Sequence, residues 1–302
     1  MKKKRKAISL SLEKGDLLPL LLMTPTVIIM LIVMVFPLLY GLYLSFFEVG
    51  FGGASVGNFI GLQNYIRFFQ DTTALKSVLN TLLFSAGAIA GNMFFGTLGA
   101  VLLHQMSRRL SVICRPLMTI PLLVSPLIVG LIWRYIYDPS GILYWLLGHF
   151  GIGMEQFPGT SSSATALFCC IVAQWWEVIP FYIIVLTAGL LAIPEDYYEA
   201  AYVDGAGPLT LFFRITLPLM KSVYMTVLVV SGVDTIKIFD IIYSLTSGGP
   251  NNSTMSISIY AYNQAFVISD MGYAMALSVV AMLVAFLVFG VPFLRSSRKT
   301  GM

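Results

Sequence analysis

Six apolar stretches constrain this chain more than any single motif: 17–47, 75–104, 112–137, 166–193, 222–243 and 272–294. Each exceeds the roughly 20 residues an α-helix needs to cross about 30 Å of hydrocarbon. A segment at that depth must satisfy its own backbone hydrogen bonds, so each stretch is predicted to be helical. The composition agrees: 58% of the 302 residues are hydrophobic and 11% are charged, with a mean hydropathy of +0.86, far from the average of soluble domains. The expectation is an all-α polytopic membrane protein with six transmembrane helices. Pro19, Pro25 and Pro37 fall in the first stretch and predict a kinked helix there.

The basic residues set the expected orientation. Six crossings put both ends on one side, and that side collects fourteen of the eighteen Lys and Arg: the 1–16 tail, Arg108, Arg109, Arg115, Arg214, Lys221 and the 295–302 tail. The other side has Arg67 and Lys76, while Arg134 and Lys237 fall within spans. By the positive-inside rule both termini are cytoplasmic. The basic head resembles the start of a signal peptide, but the apolar run behind it is too long and has no small-residue cleavage site, so it reads as a retained anchor. A net charge of +4 gathered at helix ends is no nucleic-acid footprint.

No chemistry of bond-making is visible. The chain has no Gly-x-x-x-x-Gly-Lys-Ser/Thr loop to cradle phosphates, no two-histidine zinc motif and no nucleophile elbow. His104 at a membrane edge and His149 in an external loop are too far apart in topology to share a site. Cys114, Cys169 and Cys170 lack metal-ligand spacing and read as small apolar filler. The expectation is a chain that is not an enzyme, with no metal site and no cofactor of its own.

Between the fourth and fifth stretches lies a polar segment, 194–221, with Glu195, Asp196, Glu199, Asp204, Arg214 and Lys221. Pro194 and the carboxylates behind it suit a helix start. Gly205, Gly207 and Pro208 stop that helix after Val203, so two short helices with a break are expected. Ala200 and Ala201 keep its surface small enough for a partner's groove. The pattern Glu199-Ala200-Ala201, Gly205, Ile215 and Leu217-Pro218 resembles the cytoplasmic loop of permease subunits of binding-protein-dependent ABC importers. Asp204-Gly205-Ala206, Phe239-Asp240 and Leu245-Thr-Ser-Gly-Gly-Pro250 resemble the carbohydrate-uptake, maltose-transporter-like branch. The likeness runs over about 75–294, the expected permease core, with helix 1 (17–47) as an accessory.

The resemblance implies a type I ABC importer permease fold in a bacterial or archaeal cytoplasmic (inner) membrane. It also implies a second permease subunit, as a heterodimer, two copies of a cytoplasmic ATPase that binds ATP and Mg, and an extracytoplasmic solute-binding protein. Glu199, Ala200, Ala201, Asp204, Gly205, Ala206, Ile215 and Pro218 would form the ATPase-coupling loop. The family's contact positions carry over to Gln174, Val178 and Phe181 on helix 4 and Ser231, Asp234, Thr235 and Ile238 on helix 5, with Glu177 and Lys237 beside them. Their types suit a sugar or polyol: an aromatic face for C–H groups and hydrogen-bonding partners for hydroxyls.

Intramembrane ionisable groups mark a functional interior by default. Here Asp234 and Lys237 can pair at i, i+3, or Lys237 can reach Glu177, and either pair could simply pin helix packing. A different reading, an ion-coupled secondary transporter using Asp234, lacks the internal symmetry such carriers show. Trp133, Trp175 and Trp176 read as interfacial belt residues. Outside the membrane, Phe59-Ile-Gly-Leu-Gln-Asn-Tyr65 resembles a family segment after helix 1 and is expected to fold on the outer surface. Tyr144 stands where the family usually has Asn, three residues after Gly141. A short helix is expected after the Gly248-Gly-Pro250 turn.

Overall fold

The computed structural model describes residues 18–50, 56–292 and 294. Both charged tails, 1–16 and 295–302, lie outside these residues. The described chain is helical apart from a two-stranded antiparallel hairpin, β1 (Phe47–Val49) and β2 (Val56–Phe59). Four helices are long and apolar enough to cross a bilayer unaided: Leu21–Leu44, Thr72–Gln105, Ala166–Leu191 and Met271–Gly290.

The remaining two expected spans are not single helices. The third is Arg109–Leu123 followed by Pro126–Ile136, bent by 94° at Val124 and Ser125. Pro126 lacks an N–H and restricts Ser125 to extended backbone, so a helix ends before it and another starts on it. In the fifth, Lys221–Ile236 stops 66° off the axis of Pro208–Leu219, and the expected continuation to residue 243 is instead a separate helix, Asp240–Thr246. Counting each bent pair as one crossing gives six. The first span keeps its helix through its prolines, with a π-turn at Leu31–Val35 directly before Pro37, the usual adjustment where a donor is missing.

The second and fourth spans form the packed centre. Glycines permit the approach: an added Cβ at Gly91 would fall inside the Trp175 ring, and one at Gly96 would lie 2.5 Å from the Tyr182 Cβ. Small residues at such crossings substitute for a hydrophobic drive that lipid cannot supply. The Trp175 indole N–H donates to the carbonyls of Gly87 and Ala88, each at 3.1 Å. Trp175 is therefore a helix-packing residue and not part of an interfacial belt. Trp133 and Trp176 meet edge to face at 6.4 Å and Trp133 packs on the buried cluster of Phe84, Val129, Cys170 and Ile241. The three cysteines are free.

On one side of the membrane the connections lock together. The short helix Ile257–Tyr262 expected after the Gly-Gly-Pro turn is present. The turn before it is held by Lys76 Nζ donating to the Asn251 carbonyl at 2.8 Å and Asn80 Nδ2 donating to the Asn252 carbonyl at 2.8 Å. Arg67 on helix Gln63–Gln70 pairs with Asp270 at 2.6 Å and lies over the Tyr273 ring. Asp71 caps the second span through the amides of Thr73 and Ala74 and accepts the hydroxyls of Tyr260 and Tyr273 at 2.5 and 2.9 Å. Burial pushes the Asp71 carboxyl up, but these four donors outweigh it and hold it below the usual value. The same burial and the Asp71 charge push the Tyr260 hydroxyl up to about 12. Tyr144 donates to the Phe157 carbonyl at 3.0 Å, which closes the 138–165 loop on itself.

Candidate functional site

The fourth span presents Gln174, Glu177, Val178 and Phe181 along one face, at the i, i+3, i+4, i+7 spacing of a helix. Opposite stand Ser231, Asp234 and Thr235 of helix Lys221–Ile236, followed by Lys237 and Ile238 where that helix unwinds. All nine of these residues line a single cleft of about 590 Å³. The remaining wall comes from residues that sequence reasoning missed: Leu122, Pro126, Val230, Phe239 and Asp240.

Two of the breaks in the spans therefore open onto the same place. Pro126 begins the second half of the third span at the cleft, and Lys237 to Phe239 form the unwound turn of the fifth. Non-helical backbone at membrane depth is tolerated where it is buried or lines a cavity. Its freed groups find partners here, since Ser256 Oγ donates to the Ile238 carbonyl at 3.0 Å. Discontinuous helices of this sort put backbone and side chains in reach of a solute at once.

Within the cleft, Gln174 is oriented by Asn92, whose Nδ2 donates to Gln174 Oε1 at 3.0 Å in a buried contact. That leaves the Gln174 amide nitrogen as a donor for the cleft. Lys237 pairs with Asp234 at 3.1 Å, and both side chains are exposed; the alternative pairing with Glu177 is not formed. Glu177 is 8% exposed, and the exposed Asp240 lines the same cleft. Phe181 and Phe239 supply aromatic surface. The arrangement can hydrogen-bond a hydroxylated molecule and stack on its C–H face, and the described residues contain no group of three or more His, Cys, Asp and Glu that could hold a metal. A larger groove of about 670 Å³ between the fifth and sixth spans shares Lys237 and Phe239 but is otherwise walled mainly by aliphatic and aromatic residues.

The polar segment has the predicted two-helix form. Its first helix is Asp196–Val203 with Glu195 as N-cap, so Pro194 precedes the helix instead of opening it. It ends in a Schellman motif: Gly205 takes φ +76°, its N–H donates to the Tyr202 carbonyl at 3.0 Å, and Ala206 N–H donates to Ala201 at 2.9 Å. Pro208–Leu211 and a π-turn at Phe212–Thr216 follow.

Ala201 is buried, and Tyr198 packs against the buried cluster that includes Leu190, Ile193 and Met220 while its hydroxyl meets Thr216 Oγ1 at 3.1 Å. The opposite face carries Glu199, Ala200, Asp204 and Pro218, all exposed, and Tyr202 and Val203 at 65% and 88% exposure. Ile215 and Ala206 are half-buried. One face thus grips the ends of the fourth and fifth spans, and the other offers a carboxylate amid apolar surface.

Residues 92–298 match the family model described as binding-protein-dependent transport system inner membrane component. The trehalose/maltose transport system permease protein MalF of Thermococcus litoralis is 35% identical over 80% of this chain and 80% of its own length. The sulfoquinovosyl glycerol permease SmoG of Agrobacterium fabrum is 33% identical over 89% and 87%, and the sn-glycerol-3-phosphate permease UgpA of Salmonella typhimurium is 32% identical over 91% and 92%. Among solved structures, a chain of a bacterial alginate ABC transporter, in complex with an alginate pentasaccharide-bound periplasmic protein, superposes with a TM-score of 0.81. That likeness covers 95% of this chain and 96% of the other at 24% identity, which speaks to the fold: the type I ABC importer permease fold.

Proposed function

The chain belongs to the inner membrane components of binding-protein-dependent transport systems, and we propose that it forms half of the translocation pathway for a sugar or polyol in an ATP-driven importer. The observation that carries this reading is one of connection. The two helices that wall the cleft, the fourth and fifth spans, are the two joined by the Glu199 segment. A partner that grips the exposed face of Asp196–Val203 can therefore move the cleft walls directly.

In this account the partner is a cytoplasmic ATPase present in two copies, which binds ATP and Mg, and Glu199 meets a basic residue of its groove. A second, different permease subunit supplies the other half of the path, and an extracytoplasmic binding protein delivers solute to the face formed by the 48–74, 138–165 and 244–271 connections. Both termini and the Glu199 segment lie in the cytoplasm, in keeping with the distribution of Lys and Arg. The solute contacts are Gln174, Glu177, Val178, Phe181, Ser231, Asp234, Thr235, Lys237 and Ile238. This subunit performs no bond chemistry. Closure of the ATPase pair shifts the equilibrium between inward- and outward-facing arrangements of the cleft.

The test is co-purification and ATP hydrolysis with the subunits encoded beside this chain, native against Glu199→Lys at matched expression. The native chain is expected to bring down an ATPase whose rate rises with binding protein and solute, and Glu199→Lys to abolish the rise. Failure of any ATPase to associate with the native chain would overturn the proposal.

A further inference from the structure

The cleft is unbalanced in charge. Three carboxylates line it, Glu177, Asp234 and Asp240, against the single ammonium of Lys237. The ammonium sits 3.1 Å from Asp234, so that pair is locally neutral and Glu177 and Asp240 are the cleft carboxyls left without a cation among the described residues. Glu177 is more than nine-tenths buried, lines the cleft, and has neither a hydrogen bond nor an ion pair among the described residues. Asp240 lines the same cleft and has no ion pair among the described residues. A buried carboxylate in this state lacks a donor that the protein itself does not provide.

Resting on the reading of this cleft as the solute path, we propose that it is charge-selective. It admits neutral or amine-bearing polyhydroxylated solutes and rejects anionic ones, and Glu177 and Asp240 make the distinction. A hydroxyl or ammonium hydrogen supplies the donor that Glu177 lacks, whereas a phosphate, sulfonate or carboxylate brings only acceptor oxygens to Glu177 and meets the like charges of Asp240 and Asp234 at the cleft wall. The solute class therefore differs from those in the names of the relatives that carry sulfoquinovosyl glycerol and sn-glycerol-3-phosphate.

The cleft's potential can be read without knowing the solute. Val178 lines the cleft next to Glu177 and is partly exposed. In the full chain, purified in detergent with Cys114→Ser, the variant Val178→Cys is labelled with cationic and anionic methanethiosulfonates of matched size, and the rates are divided by those for free cysteine. Cys169 and Cys170 are fully buried. The normalised cationic rate is expected to exceed the anionic rate by about tenfold or more. Glu177→Gln and Asp240→Asn should each shrink that ratio, while Glu155→Gln in the external loop leaves it unchanged.

A ratio within about twofold of free cysteine, or one that neither cleft substitution moves, overturns the proposal. If Glu177→Gln does not yield folded chain, Asp240→Asn, whose side chain is exposed, decides the matter. Labelling needs no ATPase or transport, so its outcome is independent of the importer assay.

Discussion

Replacement of Gly205 by alanine isolates one energetic contribution to the segment thought to transmit force. Gly205 sits at φ +76°, and a Cβ built there would meet nothing within 4 Å. The substitution therefore introduces no clash, and its cost is that of holding an L-residue in left-handed backbone, about 1–2 kcal/mol. At about 1.4 kcal/mol per tenfold, the capped end of helix Asp196–Val203 should lose about 5- to 30-fold in population relative to frayed forms. Gly205→Asn should lose less, because asparagine visits this conformation several-fold more readily than other non-glycine residues. The assay is hydrogen exchange at the amides of residues 205 and 206, whose N–H groups donate to Tyr202 and Ala201. Equal protection in the alanine variant and the native chain, or faster exchange with asparagine than with alanine, would refute the reasoning.

Three further outcomes follow from the same geometry. Gly91→Leu places a branched side chain where the Trp175 ring lies; it should lower folded yield and detergent melting temperature sharply, with the overpacking penalty at or above the usual 1–3 kcal/mol or so, as read by a thermal scan. Phe181→Ala should weaken solute-dependent uptake severalfold while leaving co-purification with the ATPase intact, so loss of assembly would reassign Phe181 to packing. The carboxyl of Asp71 is held below its ordinary value of 3.8, so its contribution to stability is fully present above that pH and is lost as pH falls through the lower folded value. Melting in detergent should accordingly drop as pH falls below 3.8 in the native chain and drop less in Asp71→Asn.

Much of the site was legible in the sequence because helical periodicity is a strict rule. Gln174, Val178 and Phe181 share a face whatever the tertiary structure, and a charged residue at membrane depth must look inward or to a partner. The Schellman end was legible for a similar reason, since Gly205 is the residue that its backbone angle requires. What escaped was the interruption of the spans. Hydropathy averages over a window and reads 112–137 and 222–243 as continuous, so Leu122 and Pro126 pass as ordinary span residues, and Phe239-Asp240 stands out as a family pattern but not as part of the cleft wall.

The third span did carry a signal, Pro121 and Pro126 around Ser125. The fifth carried none of the usual breakers at 237–239. Its unwinding is held by a distant residue, Ser256, through the Ile238 carbonyl, a tertiary contact that no local pattern announces. Trp175 was misplaced for the same reason: a tryptophan in an apolar helix suits a belt as well as a crossing, and only the glycines of the second span, brought opposite by packing, decide between them.

The central claim is that solute moves through this chain only when a separate ATPase drives it through the Glu199 segment. Its most direct test is uptake into liposomes that hold the purified chain with its neighbouring subunits, supplied with binding protein and loaded solute, with ATP inside, without ATP, and under an imposed proton or sodium gradient. The account predicts uptake with ATP alone as the driving force, abolished by Glu199→Lys. Accumulation driven by the ion gradient in liposomes containing this chain by itself, and lost on Asp234→Asn, would contradict it.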